Sequence, residues 1–110
     1  MTTSYKILGQ TAPSSSTETL NYTVPSNTST LVRSINITNT SSIADTYYIA
    51  IVATAGNAAG NANYIAYQNT ISGNSTITIK SGYTLPTGSG IRVKSTNGTT
   101  TFSTFGAEIQ

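Results

Sequence analysis

The side chains that could carry acid–base chemistry in this sequence are few. The carboxylates are Glu18, Asp45 and Glu108, against five cations, Lys6, Arg33, Lys80, Arg92 and Lys94, and histidine and cysteine are absent. Without them the chain lacks the side chain that titrates near neutrality, the soft metal ligands and the thiol nucleophile, and a serine triad would have no base. Glycoside hydrolysis needs two carboxylates across a cleft, and nothing in the spacing of the three acids places two together. Two of them adjoin strand ends, where a solvated surface acid is expected. No Gly-rich loop carries the lysine of a phosphate cradle, and calcium would need several converging carboxylates. The residues therefore point away from an enzyme, and to no catalytic residue, cofactor or metal.

Binding chemistry is better represented. Seven tyrosines offer aromatic faces that could stack on sugars or bases. Their alternation with Ile and Leu also suits a sandwich core or a subunit contact. Only Arg92 and Lys94 form a local basic pair, too small a footprint for nucleic acid. Arg33, inside an apolar run, reads as an edge guard or an interface anchor. Charged residues make up 7% of the chain, against roughly 25% in ordinary globular domains. Ser, Thr, Asn and Gly take their place, and such a surface opposes self-association weakly.

The elements that must position these groups are strands. No sustained period of 3.6 residues occurs, and the abundant Thr, Asn, Ser and Gly are poor helix formers. "SYKILG" sets Tyr5 and Ile7 on one face, and "TLNYTVP" sets Leu20, Tyr22 and Val24 on one side. "STLVRSINITN" has Ile35 and Ile37 in phase, and "ANYIAYQ" divides Ile65 and Tyr67 from Tyr64 and Ala66. "STITIKS" and "GIRVKS" follow, with Ile77/Ile79 and Ile91/Val93. "TYYIAIVAT" is apolar on both faces, as in a central strand covered on each side or one whose outer face meets a partner. Residues 1–110 thus read as one all-β domain, a single antiparallel β-sandwich, jelly-roll or immunoglobulin-like, of about eight strands. Asn97-Gly98 predicts a type I′ hairpin joining the Ile91–Lys94 strand to the last one. In that last strand Phe105, Ala107 and Ile109 share a face, read as the inner one with Glu108 outside. Phe102 is out of phase, which predicts a bulge at Ser103–Thr104 that lets both rings enter the core; without it Phe102 lies outside.

The first thirty residues contain no apolar run resembling a signal peptide, and no stretch is long enough to cross a membrane. The order of "YKILGQ", "LNYTVPSNTSTLVRSINITNTS", "YIAYQNTISGNSTITIKSGYTL" and "FSTFGAEI" resembles small β-sandwich virion proteins of tailed bacteriophages. The resemblance implies a non-enzymatic structural protein at the particle surface, synthesised in the host cytoplasm. Its first form is a capsid decoration, or cement, protein that binds the outer surface of the head shell and reinforces it. Its partners would be the major capsid protein and further copies of the chain, such as a trimer. The alternative is a tail, baseplate or fibre component in contact with other tail proteins. In the decoration form the protein is expected to clamp neighbouring capsid subunits through loops and an N-terminal arm. The assembly-interface candidates are Tyr48, Ala50, Val52, Asn57, Asn61, Asn63 and Tyr64. A carbohydrate-binding module presenting Tyr64, Tyr67 and the Asn57–Asn63 loop is the competing class.

Overall fold

The computed structural model describes residues 2–110. Eight strands form: β1 Thr3–Thr11, β2 Thr19–Thr23, β3 Ser29–Asn39, β4 Asp45–Val52, β5 Tyr64–Ile71, β6 Thr76–Leu85, β7 Gly90–Ser95 and β8 Thr100–Ile109. A 3-10 turn, Asn61–Asn63, precedes β5. Two four-stranded sheets, β1-β8-β3-β6 and β2-β7-β4-β5, pack face to face, and every ladder is antiparallel. β1 pairs with β8, β2 with β7, β3 with β6 and β4 with β5. The chain is therefore one long hairpin folded about β4–β5 and rolled up, so that β8 also meets β3 and β7 also meets β4. Of the two sandwich topologies expected, this is the jelly roll.

The core lies between the sheets. Val32, Ile35, Ile37, Ile49, Ile91 and Phe102 are fully or almost fully buried within it. β-Branched side chains dominate, because they fit the pleated surface and lose little rotamer freedom there. Burying each one contributes about 1.5–3 kcal/mol. The inner polar side chains are all satisfied: among the described residues no buried side-chain nitrogen or oxygen lacks a hydrogen-bond partner.

Three local readings change in the structure. β8 turns Phe102 into the core as expected, but turns Phe105 outward and carries no bulge at Ser103–Thr104. The extra residues sit in its two neighbours, at Leu8 in β1 and Arg33 in β3. Polar residues take the inner positions of β8 because partners await them: Thr104 donates to Asn21 Oδ1 at 2.8 Å, and Glu108 accepts from Tyr22. Asn97-Gly98 does not close a hairpin, since β7 and β8 belong to different sheets. Of that pair only Gly98 has positive φ, and the segment crosses from one sheet to the other. In β2 an extra residue at Asn21 separates Leu20 from Tyr22. Leu20 then pairs with Arg92 on the outer face, while Tyr22 stays inside opposite Ile91.

Tyr22 ties the two sheets together. Its hydroxyl donates to Glu108 Oε2 at 2.5 Å and lies 2.7 Å from Thr30 Oγ1, while Lys6 Nζ donates to Glu108 Oε1 at 3.0 Å. Burial first, and the Glu108 carboxylate next, push the Tyr22 hydroxyl up from its ordinary 10.0 to about 12. Glu108 is held below its ordinary value chiefly by the Tyr22 hydrogen bond. A raised folded value means that this stabilisation is complete below pH 10.0 and is lost as pH rises through about 12. Urea unfolding followed from neutral to strongly alkaline pH should show wild-type stability falling across that interval. Tyr22→Phe, which has no proton to lose, should fall less over the same range.

Candidate functional site

The three carboxylates occupy three separate structural networks, and none is a free surface acid. Asp45 is buried and accepts from Ser95 Oγ, Thr100 Oγ1 and the backbone N–H groups of Thr46 and Asn97. Burial alone would raise its pKa, but these hydrogen bonds outweigh it and hold the group below its ordinary value. Glu108 lies in the inter-sheet network with Tyr22 and Lys6. Glu18 Oε2 receives Arg92 Nε at 2.6 Å and the Ala59 N–H at 3.2 Å. Among the described residues no three acids come together as metal ligands would.

The Glu18–Arg92 pair has a mechanical consequence. Arg92 Nη1 also donates to the Ala55 carbonyl at 2.8 Å, so the pair fastens the 53–63 loop onto the outer face of the second sheet. Ala55 packs directly on Gly90, where an added Cβ would lie 2.7 Å from the Ala55 Cβ. Val52, opposite Gly90, and Ala50, opposite Arg92, are buried on this face. β4 is thus an interior strand whose outer side is covered by its own chain.

Beyond the loop, three tyrosines gather on that face. Tyr48 and Tyr67 stand edge to face at 5.1 Å between ring centroids and Tyr64 and Tyr67 at 4.9 Å, while Tyr48 and Tyr64 are tilted at 6.1 Å. Lys94 Nζ lies 4.2 Å from the centre of the Tyr48 ring. Tyr48 is buried beneath the others, whereas Tyr67 is 57% exposed. Strict alternation would have put Tyr64 and Tyr67 on opposite faces. One extra residue in β5 brings them together, as Ile65 turns into the core beside Ala66; a second, at Gln68 with a left-handed φ of 50°, lies beyond Tyr67 and restores the phase that buries Ile71. Desolvation first, then the nearby Glu18 charge, raises the Tyr64 hydroxyl pKa.

Asn61, Tyr64 and Tyr67 line an open basin of about 450 Å³. The neighbouring Asn63 side chain accepts the Gly60 N–H at 2.7 Å and so shapes the turn. Asn57 is exposed at the loop tip, its N–H bonded to the Thr54 carbonyl. Of the expected interface residues, Tyr48, Asn61 and Tyr64 therefore converge with Tyr67. Ala50 and Val52 lie beneath the covering loop, and Asn57 and Asn63 belong to that loop.

A second surface escaped the sequence reading. The outer face of the first sheet aligns Tyr5 and Ile7 of β1 with Phe105, Ala107 and Ile109 of β8 and Leu31 of β3. Tyr5 is 74% and Ile7 53% exposed. The N-terminal segment is not a free arm but the edge strand of this sheet. Arg33, at the bulge of interior strand β3, is exposed on the same side, as is Lys80 opposite Ser34. Arg33 therefore guards no sheet edge. No carboxylate points outward from this sheet, since Glu108 faces in. The Tyr5/Ile7 pair of β1 and the Phe105/Ala107/Ile109 triplet of β8 are visible as sequence, but apolar alternation alone points the β8 triplet to the core. Comparison of the chain with protein-family models, with curated proteins and with solved structures finds no match.

Proposed function

We propose that the chain is a non-enzymatic structural component of a tailed-phage virion, a decoration protein that seats on the outer surface of the head shell and reinforces it. The observation that carries this reading is the apolar outer face of the first sheet, where Tyr5 and Ile7 are exposed and Leu31, Phe105 and Ile109 are half-buried around a buried Ala107. Exposed apolar strips of this kind mark protein contacts. The strip runs to the free edge of β1, so the contact can combine side-chain packing with main-chain hydrogen bonding. Arg33 and Lys80 flank it with no outward acid, and the complementary surface is an apolar strip bordered by carboxylates. Two copies placed face to face would instead oppose like charges. The resemblance of segment order to small phage virion proteins supports the same assignment. On a shell each copy meets many equivalent sites, and modest single-site affinity suffices when copies or subunits engage together.

Co-sedimentation of the purified protein with mature heads tests the reading. Wild-type protein should saturate the heads at a fixed copy number. Tyr5→Asp and Ile7→Asp place a carboxylate in the apolar contact and should weaken binding by about 30-fold or more. Both sites are exposed on an edge strand, so folding stability should change by about 0.5 kcal/mol or less. Heads that take up no wild-type protein, or that bind the Asp variants equally well, overturn the assignment. Binding to isolated tails in place of heads would move the protein to the tail.

A further inference from the structure

We propose that the tyrosine platform on the second sheet is a binding site for a neutral glycan. A pyranose ring would stack on the exposed face of Tyr67, with the Asn61 amide and the Tyr64 hydroxyl reading its equatorial hydroxyls. The platform is built before any ligand arrives. Tyr67 is 57% exposed, yet its ring is held edge-on by both Tyr48 and Tyr64, so little conformational freedom remains to be lost on binding. The backbone is also bent to make it. Tyr64 and Tyr67 share a side because β5 carries an extra residue at Ile65, between them.

Charge selects the ligand class. Arg92 is paired with Glu18 at 2.6 Å and Lys94 lies over the Tyr48 ring. The basin itself is lined by Asn61, Tyr64 and Tyr67, which carry no charge at neutral pH and offer both donors and acceptors. A phosphate-bearing strand would find no cluster of free cations here. A volume of about 450 Å³ falls within the roughly 300–1,000 Å³ of small-ligand sites. Proline-rich peptides also lie on tyrosines, but they use a groove with successive apolar slots. Here the fastened Asn61–Asn63 turn bounds the basin with amide groups.

Screening the full chain against immobilised neutral hexose and N-acetylhexosamine oligosaccharides, and titrating the best ligand in solution, tests the site. Binding should fall by about tenfold or more in Tyr67→Ala, the loss typical of a removed stacking face. Asn61→Ala should weaken it less. Thermal unfolding should be nearly unchanged in both variants, because neither side chain is in the core. Tyr5→Asp and Ile7→Asp, on the opposite sheet, should leave glycan affinity as it is while weakening head binding, so the two proposals fail separately. Absence of binding to every neutral oligosaccharide at millimolar concentration overturns the site. So does binding only to charged glycans, affinity unchanged in Tyr67→Ala, or preference for a proline-rich peptide.

Discussion

Phe102→Ala should lower the unfolding free energy by about 3–5 kcal/mol, the cost of emptying a large aromatic site in a packed core. Phe102 is fully buried, pairs with Ile37 across the β3–β8 ladder and meets Tyr47 of the opposite sheet at 6.4 Å in an edge-on contact. The side chain therefore fills space that both sheets line, and neither sheet can close over the gap without separating from its own ladder. A domain of this size has roughly 5–15 kcal/mol in total, so about a fifth or more of its stability rests on this ring. The melting temperature should drop by roughly 15 °C or more. Phe105→Ala, on the half-covered outer face, should cost about 1 kcal/mol. Chemical denaturation of the two variants side by side makes the comparison. A larger loss in Phe105→Ala would reverse the assignment of inner and outer faces in β8.

The contrast between these two phenylalanines shows where the sequence was legible. β7 and the second half of β3 carry Ile or Val at alternate positions, Ile91/Val93 and Ile35/Ile37, and their inner faces follow directly from the alternation, whereas Val32 joins that face only because Arg33 bulges. The doubly apolar β4 is likewise the covered interior strand its composition suggested. β8 misleads because hydrophobicity was counted alone. Its inner face reads Thr100, Phe102, Thr104, Gly106 and Glu108, and the polar members are acceptable only because Asp45, Asn21 and Tyr22 from the other sheet meet them. Those partners lie about 50 to 90 residues away in sequence, a pairing that no local window contains. Asn97-Gly98 fails for a related reason. A short turn signal fixes a bend, whereas long-range pairing decides whether the flanking strands stay in one sheet.

At the candidate sites the same limit applies. Asn61 and Tyr64 are recognisable as a loop residue beside an aromatic strand, but their joining with Tyr67 depends on the extra residue at Ile65, which a period-two pattern does not show. The apolar strip of the first sheet needed the β1–β8 register before Tyr5 and Ile7 could be set beside Phe105, Ala107 and Ile109. The two surfaces lie on the outer faces of opposite sheets. A copy seated on a shell through its first sheet would hold the tyrosine platform away from the shell, facing the medium, with the rigid sandwich as spacer.

Asp45→Ala should cost about 3 kcal/mol or more, because it strands donors that have no water to turn to. The carboxylate joins the start of β4 to the end of β7 and the start of β8, at the point where the chain changes sheets. Oδ1 receives the Thr46 and Asn97 N–H groups at 2.8 and 2.9 Å, and Oδ2 receives the Ser95 and Thr100 hydroxyls at 2.5 and 2.6 Å. Asp45→Asn should not rescue it. Ser95 Oγ already accepts from the Gly98 and Thr100 N–H groups, so its proton must point at the Asp45 position, where an amide NH2 would oppose it. The loss in Asp45→Asn should be about 2 kcal/mol, the worth of a hydrogen bond to a charged group. Acid adds an independent signature. The folded pKa of Asp45 is lowered from 3.8, so its contribution is complete above that value and is lost as pH falls through the lower folded one. Urea titrations from neutral pH into acid should show wild-type stability decaying there and a flatter curve for Asp45→Asn. What slope remains in that variant belongs to Glu108, whose pKa is lowered in the same sense by Tyr22 and Lys6. A curve for Asp45→Asn as steep as that of wild type would mean that the sheet crossover does not depend on this carboxylate's charge.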